Sequence, residues 1–211
     1  MPLRMLHRIS ALAIVAFASV HISNHLSGVA GVASHIAFMD AARSIYRHVL
    51  VESLLLGCVA FQAGSGLWLV VRGWSQRRGL VPWLQAGSGA YLACFLMVHV
   101  GAVLFGRAVL HLDTNFYFAA AGFHVPPYQL FFGPYYFTAV VALFTHLACA
   151  AYWQFPAASG RSRKLLIALP MLAGATVAVL IILSLAGMLQ PVDIPDKYTA
   201  TYLAPARHPA R

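Results

Sequence analysis

The sequence is poor in charge. Only 9% of its 211 residues are charged, against 61% that are hydrophobic. Soluble domains carry about a quarter charged residues, so a water-soluble fold is excluded. Disorder is excluded with it, because disordered chains are polar and charge-rich. Acids are scarcest, five against fourteen Lys and Arg, for a net charge of +9. With so few charges in total, this excess reads as loop charge on a membrane protein rather than a nucleic-acid surface. No nucleic-acid partner is expected. The three cysteines, Cys58, Cys94 and Cys149, each lie inside an apolar run. None has the paired spacing of a zinc site or a disulfide framework.

What the chain does have is long apolar runs. A helix needs about 20 apolar residues to cross the hydrocarbon core. Five segments qualify, at about Ile9–Val29, Val49–Val71, Trp83–Phe105, Pro134–Trp153 and Leu165–Leu189. The runs are continuous and do not alternate, so helices are predicted and a barrel is not. The fold class is therefore an all-α integral membrane bundle of five transmembrane helices. Residues 1–189 form one domain, and 190–211 an extended outer tail. The first run has the basic start of a signal peptide. Its apolar character continues past a typical cleavage distance and carries two histidines, so it is read as a span.

Loop charge sets the expected orientation. Arg4, Arg8, Arg72, Arg77, Arg78, Arg161, Arg163 and Lys164 fall on one side, with no acid among them. The other side has Arg43, Arg47, Arg107, Lys197, Arg207 and Arg211, and all five acids, Asp40, Glu52, Asp113, Asp193 and Asp196. The basic bias places the N-terminus inside and the C-terminus outside, and the expected location is the bacterial cytoplasmic membrane. The outer link from Arg107 to Gly133 is rich in aromatics, including Phe116, Tyr117, Phe118 and Phe123. Aromatic residues favour the interface, so the link is expected to lie flat on the outer surface, partly helical. The tail, with Pro191, Pro195, Pro205 and Pro209, is expected to be extended and ordered only where it packs.

Ionisable residues inside a membrane are functional candidates by default, and here they are mainly histidines. Spans one and three share a pattern. Ser10 precedes His21 by eleven residues within Phe17-Ala18-Ser19-Val20-His21, and Ser88 precedes His99 by eleven within Phe95-Leu96-Met97-Val98-His99. Eleven residues is about three turns, which puts serine, phenylalanine and histidine on one face. Both spans run in the same direction, and both histidines lie somewhat beyond the midplane. Two histidines at one depth on two helices match the needs of a bis-imidazole haem b, with His21 and His99 as axial ligands to the iron. The plainer alternative is one interhelical hydrogen bond per histidine.

His146 stands alone on span four, and the position facing it on span two is near Gln62, which is not a haem ligand. His146 is read first as a hydrogen-bonding residue where a second haem would sit. The alternative is a ligand whose partner is unidentified. At the outer edge, Arg43, Arg47 and His48 are candidates for haem propionates. His25 and Glu52 are candidates, with His48, for a quinone site exchanging protons with the outer phase. His35, His111 and His124 are also assigned to the outer side. A copper or zinc site from these histidines lacks H-x-H or C-x-x-C spacing. The simplest reading of all these polar residues is a wet interface.

Taken together, these segments resemble the cytochrome b membrane-anchor subunits of succinate dehydrogenases and fumarate reductases, of the five-helix type with two haems in one polypeptide. Leu6-His7-Arg8-Ile9-Ser10 running to His21 resembles the family's first helix. Phe38-Met39-Asp40 and Tyr46 to Glu52 resemble the approach to its second. Trp83-Leu84-Gln85-Ala86-Gly87-Ser88-Gly89 running to His99 resembles the third histidine-bearing helix, and Tyr135-Tyr136-Phe137 to His146 with Trp153 the fourth. The resemblance implies that His21 and His99 ligate the outer haem. It implies flavoprotein and iron–sulfur partner subunits, with quinone as the electron carrier. The departure is Gln62, where the family has its second-helix histidine, so one haem is expected and a second is left open at His146.

Three functions follow as expectations. The leading one is a haem b-binding, non-catalytic subunit of a quinone-linked electron-transfer complex. The second is a structural or assembly subunit on the same fold. The third is a standalone outer-side metal or quinol oxidoreductase.

Overall fold

The computed structural model describes residues 3–157 and 159–203, and every regular element among them is helical. Five helices are long and apolar enough to cross a membrane: α1 (Leu3–Ser27), α3 (Val49–Arg72), α4 (Leu80–Ala108), α6 (Gln129–Tyr152) and α7 (Gly160–Leu185). Between them lie α2 (Val32–Tyr46) and the short α5 (Phe116–Ala120), and α8 (Asp196–Thr199) follows α7. At about 1.5 Å per residue, the 24 residues of α3 span some 36 Å, enough for the roughly 30 Å hydrocarbon core.

All five expected spans are present, with shifted ends. α7 stops at Leu185 rather than Leu189 because Gly187 takes the left-handed conformation, φ 70°. The Met188 N–H then bonds Leu183 O at 2.9 Å and the Gly187 N–H bonds Ser184 O at 3.2 Å, a Schellman closure. At its other end the Ser159 side chain caps the helix by accepting from the Ser162 N–H.

The helices pack in the order α1 on α3, α3 on α4, α4 on α6, and α6 on α7, the last contact being the most extensive. Small residues make the close contacts, as expected where lipid removes the hydrophobic drive between helices. Ala63 and Ser65 of α3, Ala86, Ser88 and Ala93 of α4, and Ala139, Ala142 and Ala148 of α6 are buried. A Cβ at Gly174 of α7 would lie 2.8 Å from Phe144 Cβ of α6, so these two helices meet backbone to side chain. Large apolar residues point outward instead. Leu12, Leu50, Leu80 and Leu130 are each more than 70% exposed, an arrangement unfavourable in water and natural in hydrocarbon.

Two ends can be distinguished. The basic end has the 73–79 link and residues 153–157, with Trp74 and Trp83 edge to face at 4.8 Å and Arg77 within 6.0 Å of both rings. This is the aromatic and basic chemistry of a membrane interface. The opposite end, the α2 end, departs from expectation in three ways. First, α2 is a fifteen-residue helix with no counterpart in the predicted spans. Second, the aromatic link does not lie flat on the surface. Phe116 is 1% exposed and packs with Ala120 against Ile181 and Leu185, because a ring that finds an apolar cleft buries more area there than at an interface. Third, the tail is not extended throughout. Residues 196–202 form two consecutive helical turns that bury Tyr198. Pro205, Pro209, Arg207 and Arg211 lie outside the described residues.

Candidate functional site

The two matched histidines meet inside the bundle. α1 and α4 are not packed neighbours, yet the rings of His21 and His99 face each other with centroids 6.0 Å apart. The repeated phenylalanines explain how each ring is held. Phe17 stacks on His21 at 5.6 Å with 16° between the planes, and Phe95 stacks on His99 at 5.0 Å with 13°. A residue four positions earlier on a helix lies one turn below, so the shared sequence pattern produces two equivalent Phe–His pairs.

These residues fit a bis-imidazole haem. Two imidazoles ligating one metal from opposite sides, each about 2 Å from nitrogen to metal, have ring centroids about 6 Å apart. Neither His21 nor His99 makes a hydrogen bond with any described residue, and both are only half-buried. Their nitrogens are not among the sealed, unpartnered atoms, which include Nδ1 of His25 and of His35. A separate cleft of ≈ 240 Å³ between α1 and α6 is lined by Val15, Ala18, Ile22, Leu143, Phe144 and Leu147, and by neither histidine.

The cluster extends beyond the predicted pair. The His25 ring lies 4.7 Å from that of His21 and 5.2 Å from that of His35. His35, placed at the wet surface by the sequence, is instead 2% exposed, with its Nε2 3.3 Å from Asn24 Nδ2. Burial, with the charges of His21 and Arg43, pushes the His35 imidazole down to about 4. Asn24 is the only buried residue of α1. A buried amide in an otherwise apolar helix face was the signal for this part of the site. Among the described residues no three or more His, Cys, Asp or Glu side chains converge to hold a metal ion. A bis-imidazole haem needs only two protein ligands.

The polar residues at the α2 end mostly bind one another. Arg43 Nη2 lies 2.7 Å from Asp113 Oδ1, and Arg47 donates to Thr114 Oγ1 at 3.0 Å, tying α2 to the link after α4. Burial would raise the Asp113 carboxyl, but the Arg43 hydrogen bond and the charges of Arg43 and Arg47 hold it below the usual carboxylate range. Arg43 Nε remains buried with no partner. Glu52 is bonded by Arg107, which makes it a structural ion pair at the head of α3. His48 precedes α3 in extended conformation, is exposed, and makes no side-chain hydrogen bond with described residues.

Gln62 does not face His146. Its amide donates to His7 O at 2.5 Å and to Ser10 Oγ at 3.1 Å, fastening α3 to α1. His146 turns to α4, where Nδ1 bonds Gln85 O at 3.1 Å and lies 3.3 Å from Ser88 Oγ. His7, quoted above only within a resemblance, is a further histidine with a partner, its Nδ1 2.7 Å from Ser65 Oγ. A signal for it was present: Gln62-Ala63-Gly64-Ser65-Gly66 and Gln85-Ala86-Gly87-Ser88-Gly89 are the same five residues in two helices.

Comparison with protein-family models, with curated proteins and with solved structures returns no match to this chain.

Proposed function

We propose that this chain is the haem b-binding membrane subunit of a quinone-linked electron-transfer complex, of the succinate dehydrogenase cytochrome b kind. One observation carries the reading: His21 and His99, from helices that are not neighbours, face each other at 6.0 Å, each backed by a phenylalanine and neither hydrogen-bonded. A pair of imidazoles serving only as hydrogen-bonding residues would be expected to have partners, since an unmet polar group in hydrocarbon is costly. When bound, haem b supplies one-electron transfer, and the protein supplies ligands, orientation and a dry surrounding.

In this reading the basic end faces the cytoplasm and receives flavoprotein and iron–sulfur subunits, and the membrane is the bacterial cytoplasmic membrane. The α2 end faces outward. Quinone is placed there, beside His25 rather than Glu52, because Arg107 already occupies Glu52. Arg43, with its buried Nε free, is the better candidate of the two arginines for a haem propionate.

The test is the absorption spectrum and haem content of the purified protein. A Soret band and bound haem that are lost in His21→Ala and in His99→Ala support the proposal. Protein without haem sinks it and leaves the structural or assembly subunit. Copurification of a flavoprotein and an iron–sulfur protein would identify the complex.

A further inference from the structure

The start of α7 carries three cations with no counter-ion. Arg161, Arg163 and Lys164 fall in its first five residues. The ion pairs among the described residues join Arg43, Arg47 and Arg107 to Asp40, Asp113 and Glu52, all at the α2 end. The chain's two other acids, Asp193 and Asp196, follow α7 and lie at that same end. No carboxylate therefore neutralises the cluster. Arg163 is nevertheless held in place. Its Cζ stands 3.8 Å from the centre of the Tyr152 ring, at the end of α6, and its Nε is buried without a partner. Stacking uses the flat face of a guanidinium and leaves the N–H groups of its edge for an oxyanion.

Beside this cluster runs an apolar groove of ≈ 460 Å³, lined by Phe155, Ser162, Leu165, Leu166, Leu169 and Pro170. From Ser162 to Pro170 it follows α7 for eight residues, about 12 Å along the axis. Ser162 is the one polar residue of the lining, and in the chain it stands between Arg161 and Arg163. The groove is thus polar and cationic at one end and hydrocarbon at the other. Its polar end lies at the level of the interface. Trp153, two residues before Phe155, is 47% exposed and donates from Nε1 to Gln85 Oε1 at 2.8 Å, the posture of an interfacial tryptophan. From there the groove runs inward along a spanning helix, as an acyl chain does. Basic pockets of this kind between spanning helices suit anionic headgroups. An uncharged amphiphile such as a quinone would fill the groove and leave all three cations unpaired.

We propose that the start of α7 binds one anionic phospholipid, with its phosphodiester on Arg161 and Arg163 and one acyl chain in the groove lined by Phe155, Leu166 and Leu169. Arginine suits this task because its planar fork pairs with phosphate oxygens in bidentate fashion. Lys164 adds charge at the same level. The site is independent of the haem reading and lies on the opposite end of the bundle from the α2 helix.

The test is lipid retention by the purified full chain in neutral detergent, read by native mass spectrometry against an equimolar mixture of phosphatidylglycerol and phosphatidylcholine. One phosphatidylglycerol per chain is expected, preferred over phosphatidylcholine by about tenfold. Arg161→Gln/Arg163→Gln should bring that preference close to one, and Arg161→Lys/Arg163→Lys should keep part of it. Leu166→Trp/Leu169→Trp, which fills the groove and leaves the charges, should lower retention of both lipids. Because the readout is a ratio measured on one sample, a variant that merely loses stability does not mimic the result. Melting temperature should rise with phosphatidylglycerol and not with inorganic phosphate at the same concentration. Equal retention of the two lipids by the wild type overturns the proposal. So does a preference that survives Arg161→Gln/Arg163→Gln, or one that Arg72→Gln/Arg78→Gln abolishes in its place. Stabilisation by inorganic phosphate equal to that by the lipid overturns the groove as part of the site.

Discussion

Arg107, at the end of α4, donates from both terminal nitrogens to the carboxylate of Glu52, at the start of α3. The two side chains are about 30% exposed, so the pair is neither fully hydrated nor fully buried. Its coupling should fall between that of a surface pair, below about 1 kcal/mol, and that of a buried one. A double-mutant cycle of Glu52→Ala and Arg107→Ala, read by thermal unfolding in detergent, is expected to give a coupling of about 1–2 kcal/mol. Strict additivity would mean that the contact does not hold the helix ends together.

His35 predicts a pH dependence. Its imidazole is pushed from 6.5 down to about 4 by burial, aided by the His21 and Arg43 charges. Between these values the unfolded state binds more protons than the folded one, so stability rises with pH across that window. The contribution is fully present above pH 6.5 and is lost as pH falls toward 4. Its size is on the order of 3 kcal/mol. Melting temperatures measured from pH 7.5 to 4 should fall through this range in the wild type and fall less in His35→Gln. An equal slope in both would show that another group is responsible.

The stacked phenylalanines predict a graded effect on the central pair. Phe17→Leu and Phe95→Leu keep apolar bulk beneath each imidazole but lose the flat ring that sets its plane at 16° and 13°. These variants should retain haem and shift its low-spin EPR g-values. Phe17→Ala and Phe95→Ala should also destabilise the protein, by about 2–3 kcal/mol, because the rings are only half-buried and a fully buried Phe→Ala costs about 3–5 kcal/mol. Unchanged EPR in all four variants would show that the stacking does not orient the ligands.

How much of this was legible in the sequence depends on the kind of information involved. The five spans were readable because each is a long apolar run and length alone decides them. The Phe-x-x-x-His repeat was readable because a four-residue spacing has one meaning on a helix. α2 was missed because its apolar residues are interrupted by His35, Asp40, Arg43 and Ser44, which suits a helix with one covered side and defeats a search for continuous runs. The burial of His35 was missed because its partner Asn24 reaches it only through the turn at Gly28–Gly31, where Gly31 takes φ 129°. Gln62 was correctly placed along α3 and wrongly aimed. A helix apolar all round gives no period from which to tell which neighbour a given side chain meets.

The glycines of α4 offer a paired test of helix packing. Gly87 and Gly89 are two residues apart in the same helix. A Cβ at Gly87 meets nothing within 4 Å, whereas one at Gly89 would lie 2.8 Å from Cε1 and 3.2 Å from Nδ1 of His146. Gly87→Ala should be neutral or stabilising, by up to about 1 kcal/mol, because alanine is the better helix former and nothing is displaced. Gly89→Ala gains the same propensity but pushes the imidazole off its hydrogen bond to Gln85 O, for a net cost of about 1–3 kcal/mol typical of overpacking. The sign difference between the two variants, read by thermal unfolding in one detergent, is the measurement. If Gly89→Ala is as well tolerated as Gly87→Ala, His146 is not held against α4 by that glycine.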